Sequence, residues 1–294
     1  MFFSCPHMRL KSLLLCVLVL SAPVHAQARS GDIVFVSNRD GSDDIMFMRA
    51  NGDSARNLTH PHEGHDLYPA WSPGCKEIVF QSDRTGTAAI YVMSSNGQNL
   101  RRVTRESLPE LRPSWSPDGK FILFGRSVDS TTDEIARVRS DGSQLLVLTH
   151  RRAAYGSPSM SPDGKRIAFH SNMDSVVSIY VAPSSGGEPV RLTNAPRANA
   201  EPAWSPDGSM LAFASFRNGR PDIYTINADG TGERRLTDDP ATDYHPSWTG
   251  DGRIVFHSSR TGNAEIFWMR SDGTDLRNLT NNSATDLLPS ACRF

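Results

Sequence analysis

The sequence predicts an all-β fold, namely a six-bladed β-propeller built of four-stranded antiparallel blades. Three features that recur in phase along the chain predict it: a β-branched triplet ending in phenylalanine, a glycine-containing hairpin pair, and a segment containing proline and tryptophan. The phenylalanines of successive triplets lie 45, 44, 45, 44 and 43 residues apart. A repeat of about 40–45 residues that carries four short strands is typical of a propeller blade.

Two strands of each predicted blade are rich in β-branched and aromatic residues, which favour strands over helices. The first of these strands carries the triplet, which occurs as Ile33-Val34-Phe35, Ile78-Val79-Phe80, Ile122-Leu123-Phe124, Ile167-Ala168-Phe169, Leu211-Ala212-Phe213 and Ile254-Val255-Phe256. The next strand begins with isoleucine, as in Ile45-Met46-Phe47-Met48. Its weakest copy is Ile135-Ala136-Arg137-Val138, in the third repeat.

A tight turn follows the second of these strands in every repeat. The turn pairs are Asn51-Gly52, Asn96-Gly97, Asp141-Gly142, Gly186-Gly187, Asp229-Gly230 and Asp272-Gly273. Asn, Asp and Gly tolerate the positive φ angles of a type I′ turn, so each pair predicts a hairpin that leads into an outer strand. The outer strand ends in a Leu-Thr or Val-Thr pair, first at Leu58-Thr59.

The innermost strand of each blade is predicted from the segment that contains proline. Its first copy is Pro69-Ala70-Trp71, and a degenerate copy, Pro289-Ser290-Ala291, lies near the end of the chain. Proline fits a strand edge, where no ladder hydrogen bond is required of it. Because the first triplet has no such strand before it, we expect the C-terminal inner strand to pair with the N-terminal blade strands and close the ring.

Length and charge limit the remaining choices. A chain of 294 residues is long enough for two domains of roughly 150 residues each, but the repeats assign residues 27–294 to a single propeller. The 31 basic and 32 acidic residues nearly cancel, so the basic surface that nucleic-acid binding requires is not expected. The mean hydropathy of −0.41 is too low for a protein with several membrane spans.

Residues 1–26 are predicted to be a secretory signal peptide. Two basic residues precede a nine-residue apolar run at 12–20, and the small residues Val24 and Ala26 stand at −3 and −1 of the predicted cleavage site. The run is too short to span a bilayer. Cleavage after Ala28 and an uncleaved anchor are the alternatives. The prediction places the mature protein in the periplasm or outside the cell, without a transmembrane anchor.

Two cysteines remain after removal of the predicted signal peptide. Export permits a disulfide between Cys75 and Cys292. The expected ring closure places them in adjacent blades, where a bond would lock the ring. A disulfide also requires Cα atoms within about 7 Å of each other, which the sequence does not establish. The sequence therefore leaves open whether Cys75 and Cys292 are bonded or free.

The repeat as a whole resembles a known family. Over residues 32–294, the chain resembles the TolB-type β-propeller repeat. The resemblance rests on Leu-Thr, an acidic residue some seven positions later, Pro-x-Trp-Ser-Pro-Asp-Gly, Ile-x-Phe-x-Ser-x-Arg and Ile-Tyr-x-Met. The resemblance implies a periplasmic binding protein whose channel receives a partner segment, such as part of a peptidoglycan-associated lipoprotein. TolB proteins carry an α/β domain before the propeller. The segment of about five residues before the first strand leaves no room for one, so we do not expect that domain here.

Polar positions before the recurring proline are the candidate binding site. The residues one and three positions before proline differ from blade to blade, as an asymmetric binding site requires. By strand alternation, both are expected on the face of the small residue that follows proline, at one mouth of the channel. The candidate partner-binding residues are Tyr68, Arg112, Tyr155, Glu201, Tyr244 and His245.

Two groups of residues could hold a metal ion. Three positions before proline, four of the six residues are acidic: Asp66, Glu110, Asp243 and Asp286. They either accept backbone N–H groups of neighbouring loops or form oxygen ligands for Ca²⁺. No motif requires a cofactor, and no calcium-loop motif is present. The cluster His60, His62 and His65 either binds a transition metal or is solvated in its loop.

Two further recurring positions are assigned structural roles. Four triplets are followed by Ser-x-Arg, whose arginine is predicted to satisfy loop carbonyls or carboxylates. His170 and His257 both follow the phenylalanine of a triplet and are predicted to serve the fold.

No catalytic motif is evident. The chain contains no Gly-x-Ser-x-Gly, His-Glu-x-x-His or phosphate-binding glycine loop. The first prediction is therefore a non-catalytic binding or scaffold propeller that captures a protein segment or another cell-envelope partner. The alternative is a propeller enzyme, similar to a lyase or glycosidase, that acts on a carbohydrate or other polar substrate at the same channel mouth.

Overall fold

A computed structural model of the protein describes residues 28–62, 64–105 and 107–293. Twenty-four strands form six four-stranded antiparallel sheets, which confirms the predicted six-bladed propeller. The predicted signal peptide, residues 1–26, lies outside the described residues. No helix long and apolar enough to cross a membrane occurs in the part of the chain that the structure describes.

Each blade runs from an innermost strand to a two-residue outer strand. The innermost strands are β4 (Asp66–Trp71), β8 (Glu110–Trp115), β12 (Tyr155–Met160), β16 (Asn199–Trp204), β20 (Asp243–Trp248) and β24 (Asp286–Ala291). The second strands are β1 (Ile33–Ser37), β5 (Glu77–Ser82), β9 (Phe121–Ser127), β13 (Arg166–Ser171), β17 (Met210–Ser215) and β21 (Arg253–Ser258).

The third strands are β2 (Asp44–Met48), β6 (Ala89–Ser94), β10 (Asp133–Arg139), β14 (Ser178–Pro183), β18 (Asp222–Asn227) and β22 (Glu265–Arg270). The outer strands are β3 (Arg56–Asn57), β7 (Arg101–Arg102), β11 (Leu146–Val147), β15 (Val190–Arg191), β19 (Arg234–Arg235) and β23 (Arg277–Asn278). Blade 1 combines β24 with β1–β3, and blades 2 to 6 follow as β4–β7, β8–β11, β12–β15, β16–β19 and β20–β23.

Blade 1 joins the two ends of the chain, as predicted. Strand β24 pairs antiparallel with β1, with Ile33 opposite Ala291 and Ser37 opposite Asp286. The pairing gives β1 a partner on its inner side, so the ring has no open blade.

A disulfide reinforces this closure. Cys292, directly after β24, is bonded to Cys75 in the turn after β4, with a Cα–Cα distance of 5.6 Å. The bond links blade 1 to blade 2. The structure thus decides in favour of the bonded pair, which the sequence had left open.

The hydrophobic core lies between the blades. The phenylalanines of all six triplets are at most 1% exposed. Trp204 packs with Ile179 of blade 4 and Leu211 of its own blade 5, and its indole N–H donates to the Ser159 carbonyl of blade 4 at 3.0 Å. The large residue after proline therefore fills the space between neighbouring blades.

The threonine after each outer strand has one repeated contact. Its side-chain oxygen accepts the backbone N–H of the isoleucine in the third strand of the same blade. The six donor–acceptor distances are between 2.9 and 3.0 Å. This contact extends the pairing of an outer strand that has only two ladder residues.

Candidate functional site

Every inner strand bulges at the residue before proline. In blade 2, Leu67 lies opposite Gln81 and Ala70 opposite Val79, so β4 has one residue more than β5 between these pairs. The residue before proline has a left-handed backbone, which is uncommon outside glycine. Its φ lies between 49° and 57° in Tyr68, Arg112, Ser157, Glu201, His245 and Leu288.

In three of the six blades, a side chain of the preceding blade accepts the backbone N–H of the bulged residue. The backbone N–H of Arg112 donates to Gln81 Oε1 at 3.2 Å. At the same repeat position, His170 Nδ1 accepts the N–H of Glu201 and His257 Nδ1 accepts the N–H of Leu288, each at 3.4 Å. These two histidines serve the fold, as predicted.

The bulge breaks the alternation of side chains along the strand. Apart from Leu288, the residues one before and one after proline line the central channel, whereas the residues three before it are at most 3% exposed. The expectation that both positions share a face is therefore wrong. Tyr155, three before proline, lies in a cavity between blades 3 and 4 and not at the channel mouth.

The channel has two mouths that meet at a ring of small residues. The first mouth encloses about 140 Å³ and is lined by the bulged residues Tyr68, Arg112, Ser157, Glu201 and His245. The second mouth encloses about 410 Å³ and is lined by residues that follow proline, among them Trp71 and Trp115. The ring residues Ser114, Ser159 and Ser290 line both mouths.

Glu201 is the centre of a polar cluster at the first mouth. Its side chain is 3% exposed. One carboxylate oxygen accepts the Ser157 hydroxyl at 2.6 Å and lies 3.1 Å from His245 Nδ1. The other accepts the Tyr244 hydroxyl at 3.4 Å and lies 3.9 Å from Arg112 Nε. The structure thus joins four of the predicted binding residues into one cluster.

The surroundings of this cluster shift its pKa values. Burial disfavours the Glu201 carboxylate, but contact with His245 and the nearby charges outweigh burial and lower its pKa. Burial disfavours the charged form of Arg112, but the negative charge of Glu201 outweighs this effect, so the pKa of Arg112 is raised. Burial, together with the charge of Glu201, raises the pKa of Tyr244. Glu201 is therefore a stable anion at neutral pH.

The exposed rim of the first mouth consists of hydrogen-bond donors. The side chains of Arg112 and His245 are 34% and 18% exposed. The Arg112 guanidinium lies 5.3 Å from the centre of the Tyr68 ring, whose other neighbour is the imidazole of His245, at a centroid distance of 5.7 Å. An incoming molecule therefore meets a cation and two aromatic rings before the buried carboxylate.

The acidic position three before proline pairs with arginine. Arg84 donates to Asp66 at 2.8 and 2.9 Å, and Arg260 and Arg39 make the same paired contact with Asp243 and Asp286. In each pair the arginine Nε also donates to the serine of Ser-x-Arg. This confirms the structural role of the arginine.

The four acidic residues also lie in four different blades. Glu110, the fourth, is fully buried in β8. The arginine contacts give Asp66, Asp243 and Asp286 a structural explanation. Calcium binding at this position stays a prediction.

The three loop histidines contact three different carboxylates. His60 lies 3.6 Å from Asp44, and His65 lies 2.9 Å from Asp43. His62 lies 2.5 Å from Asp66, and Asp44 is close enough to these two to form a group of possible metal ligands. Arg84 already contacts Asp66 and His62 there. Transition-metal binding in this loop stays a prediction.

Arg293 is a channel residue that sequence reasoning missed. Its guanidinium donates to the backbone carbonyls of Trp248 at 2.8 Å and Trp204 at 3.0 Å, and it lines both mouths. Burial lowers the pKa of Arg293 to about 10. No repeat position corresponds to it, so the one signal in the sequence was its place next to Cys292.

Comparisons with known proteins agree with this architecture. The family model described as TolB beta propeller domain matches residues 19–154 and 127–292. A search of curated proteins finds no match. Two similar solved structures are TolB from Acinetobacter baumannii and a protein described as TolB from Agrobacterium tumefaciens. A third is the hydrazine synthase of Kuenenia stuttgartiensis.

The likeness to these structures extends over most of the chain. The Acinetobacter protein is 23% identical with a TM-score of 0.79, over 90% of this chain and 67% of its own. The Agrobacterium protein is 23% identical with a TM-score of 0.70, over 86% and 90%. The synthase is 15% identical with a TM-score of 0.74, over 90% and 47%. Identities this low describe the fold alone, whereas the family model covers most of the sequence. The chain belongs to the TolB β-propeller domain family.

Proposed function

We propose that the protein is a non-catalytic binding propeller of the cell envelope, which captures a segment of a protein partner at the first channel mouth. The asymmetry of that mouth is the observation that carries the proposal. Six blades repeat one backbone conformation, yet the bulged residues that line the mouth include a glutamate, an arginine, a histidine and a tyrosine. A purely structural position would be expected to repeat its side chain, as the buried phenylalanines do.

The chemistry of the mouth defines the segment that it would bind. Arg112 and His245 present donors at the rim, and the rings of Tyr68 and His245 present flat apolar surface. A segment with carboxylate or carbonyl oxygens beside an apolar side chain complements this rim. A peptidoglycan-associated lipoprotein is the type of partner that the family resemblance suggests. Export to the periplasm through residues 1–26 would bring the two together.

The same geometry disfavours acid–base catalysis. A general base works best when its pKa lies near the working pH. The pKa of Glu201 is lowered and that of Tyr244 is raised, so the first is a weak base and the second a weak acid at neutral pH. The hydrazine synthase has a similar propeller, so the fold itself does not exclude an enzyme. A lyase or glycosidase-like activity is therefore the alternative that an experiment must address.

Site-specific photocrosslinking tests this proposal. A benzophenone amino acid in place of Tyr68 should crosslink a protein from a periplasmic extract, because Tyr68 lines the first mouth. The same group in place of the exposed Val190 on β15 is the matched control. In the Tyr68 background, Arg112→Ala should reduce the crosslinked product at least tenfold, since it removes the exposed cation of the rim.

The control separates binding at the mouth from surface adhesion. Equal crosslinking from positions 68 and 190 would contradict the proposal. So would the absence of any crosslinked protein together with cleavage of a cell-wall or acidic polysaccharide by the purified protein. That second result would favour the enzyme.

A further inference from the structure

A cavity of about 260 Å³ lies between blades 3 and 4, apart from the channel. Besides the polar residues Thr149, His150, Arg151 and Glu188, its lining includes six apolar or aromatic side chains that are at most 8% exposed. They are Ile135, Leu148, Tyr155, Ile167, Phe169 and Ala182. A cavity of this kind forfeits packing contacts and is a departure from the close packing of protein interiors.

The repeat explains how the cavity arises. Ala182 pairs with Ile167 across β13 and β14. The residues at the corresponding register position of the other blades are all larger, namely Met48, Met93, Val138, Ile226 and Met269. The small side chain at position 182 is therefore a local departure from the pattern, and it lines the cavity.

The backbone of blade 4 also stands back from its neighbour. A Cβ added to the hairpin glycine would lie 2.4 to 3.0 Å from a carbonyl oxygen of the preceding blade in blades 1, 2, 3 and 6, and 3.6 Å from one in blade 5. At Gly186 in blade 4 the corresponding distance, to the Leu148 oxygen, is 3.8 Å. Blade 5 has nearly the same spacing but carries Ile226 at the register position of Ala182, so the small side chain is what distinguishes the interface of blades 3 and 4.

We propose that this cavity is a binding site for a small uncharged aromatic molecule. The size supports this, because an apolar cavity of about 150 Å³ is known to hold benzene. Tyr155 and Phe169 provide aromatic rings, 5.6 Å apart between centroids, against which such a molecule can pack.

The opening of the cavity fits an uncharged ligand. Arg151 and Glu188 belong to its lining and pair with each other at 2.5 Å, so their charges cancel. Their side chains are 57% and 81% exposed, and an exposed pair of this kind contributes little stability. The pair can therefore separate at small cost when a ligand enters.

Titration with indole, followed by calorimetry and by methyl NMR, tests the proposal. The wild-type protein should bind indole saturably, with shifts of the Ile135 and Ile167 methyl resonances. Ala182→Met and Ala182→Ile fill the cavity with residues that blades 2 and 5 use at this position, and each should weaken binding at least tenfold. Val190→Met, an exposed change in the same blade, should leave binding unchanged.

Two results would overturn the proposal. One is the absence of saturable binding to the wild-type protein at millimolar indole, which would make the cavity a packing vacancy only. The other is equal binding by the wild type and whichever Ala182 variants fold, which would place the ligand elsewhere. Benzoate in a parallel titration tests the stated charge preference, and binding at least as tight as that of indole would contradict it.

Discussion

At the residue scale, one backbone conformation recurs at the residue before proline and places five side chains at the first channel mouth. The residue before each proline is left-handed in all six blades, and a side chain of the preceding blade accepts its N–H in blades 1, 3 and 5. The acceptor is Gln81 in one case and a histidine in the other two. A histidine that accepts through Nδ1 must be unprotonated at that atom. In blades 5 and 1 this hydrogen bond therefore requires the neutral forms of His170 and His257.

His257 should make the stability of the protein dependent on pH. Burial, followed by the nearby His245, lowers its pKa to about 3 in the folded protein, against about 6.5 in the unfolded chain. The unfolded state thus binds more protons between these values, and stability falls as the pH drops below 6.5. The expected loss is about 1.4 kcal/mol per pH unit for this one residue.

Urea unfolding of His257→Gln at pH 7 and pH 5 checks this expectation. Glutamine occupies the same repeat position in blade 2 as Gln81, so it can accept the same N–H without titrating. Between pH 7 and pH 5, the free energy of unfolding of the variant should fall by about 2 kcal/mol less than that of the wild type, given the slope above. Equal losses in both proteins would show that His257 does not titrate as described.

At the scale of the element, the outer strands depend on a side chain for part of their pairing. Each has only two residues in the ladder, and the threonine that follows it accepts the next buried N–H. Thr193 in blade 4 is 1% exposed and accepts the N–H of Ile179 at 3.0 Å. An unsatisfied buried donor is costly, which explains why Leu-Thr or Val-Thr recurs in every repeat.

Thr193→Val should destabilise the protein although it preserves size and shape. The change leaves the Ile179 N–H without an acceptor, at a cost of about 1–3 kcal/mol. Thr193→Ser retains the hydroxyl and is the matched control, with a smaller loss from the missing methyl group. Equilibrium unfolding in urea compares the two, and equal destabilisation by both would contradict the hydrogen-bond argument.

At the scale of the whole molecule, the ring is held closed by a strand and a covalent bond. The β1–β24 pairing joins the ends of the chain, and the disulfide adds a crosslink between residues 217 positions apart. A crosslink across such a long segment removes many conformations of the unfolded chain.

Removal of the disulfide should therefore lower the free energy of unfolding. Cys292→Ser is expected to cost about 2–5 kcal/mol. Cys75→Ser should cost a similar amount, and the double variant should lose scarcely more than either single variant, since all three remove the same bond. Thermal unfolding of the oxidised protein measures this. Fully additive losses would contradict it.

The sequence was sufficient for the regular part of the fold. The triplets, hairpin glycines and proline segments predicted six blades, four strands in each, and the ring closure between β1 and β24. These features are local and periodic, because each depends on side chains within one repeat. Four of the predicted site residues, Arg112, Glu201, Tyr244 and His245, also lie together as expected.

The features that the sequence did not predict depend on contacts between blades, which only the tertiary structure shows. Strand alternation placed Tyr155 at the channel, but the bulge in β12 breaks that alternation, and Tyr155 lines the interblade cavity instead. The approach of Cys75 to Cys292 and the position of Arg293 both follow from where the closed ring leaves the end of the chain. A periodic pattern determines how each blade is built, whereas the packing of one blade on the next determines which side chains reach the channel.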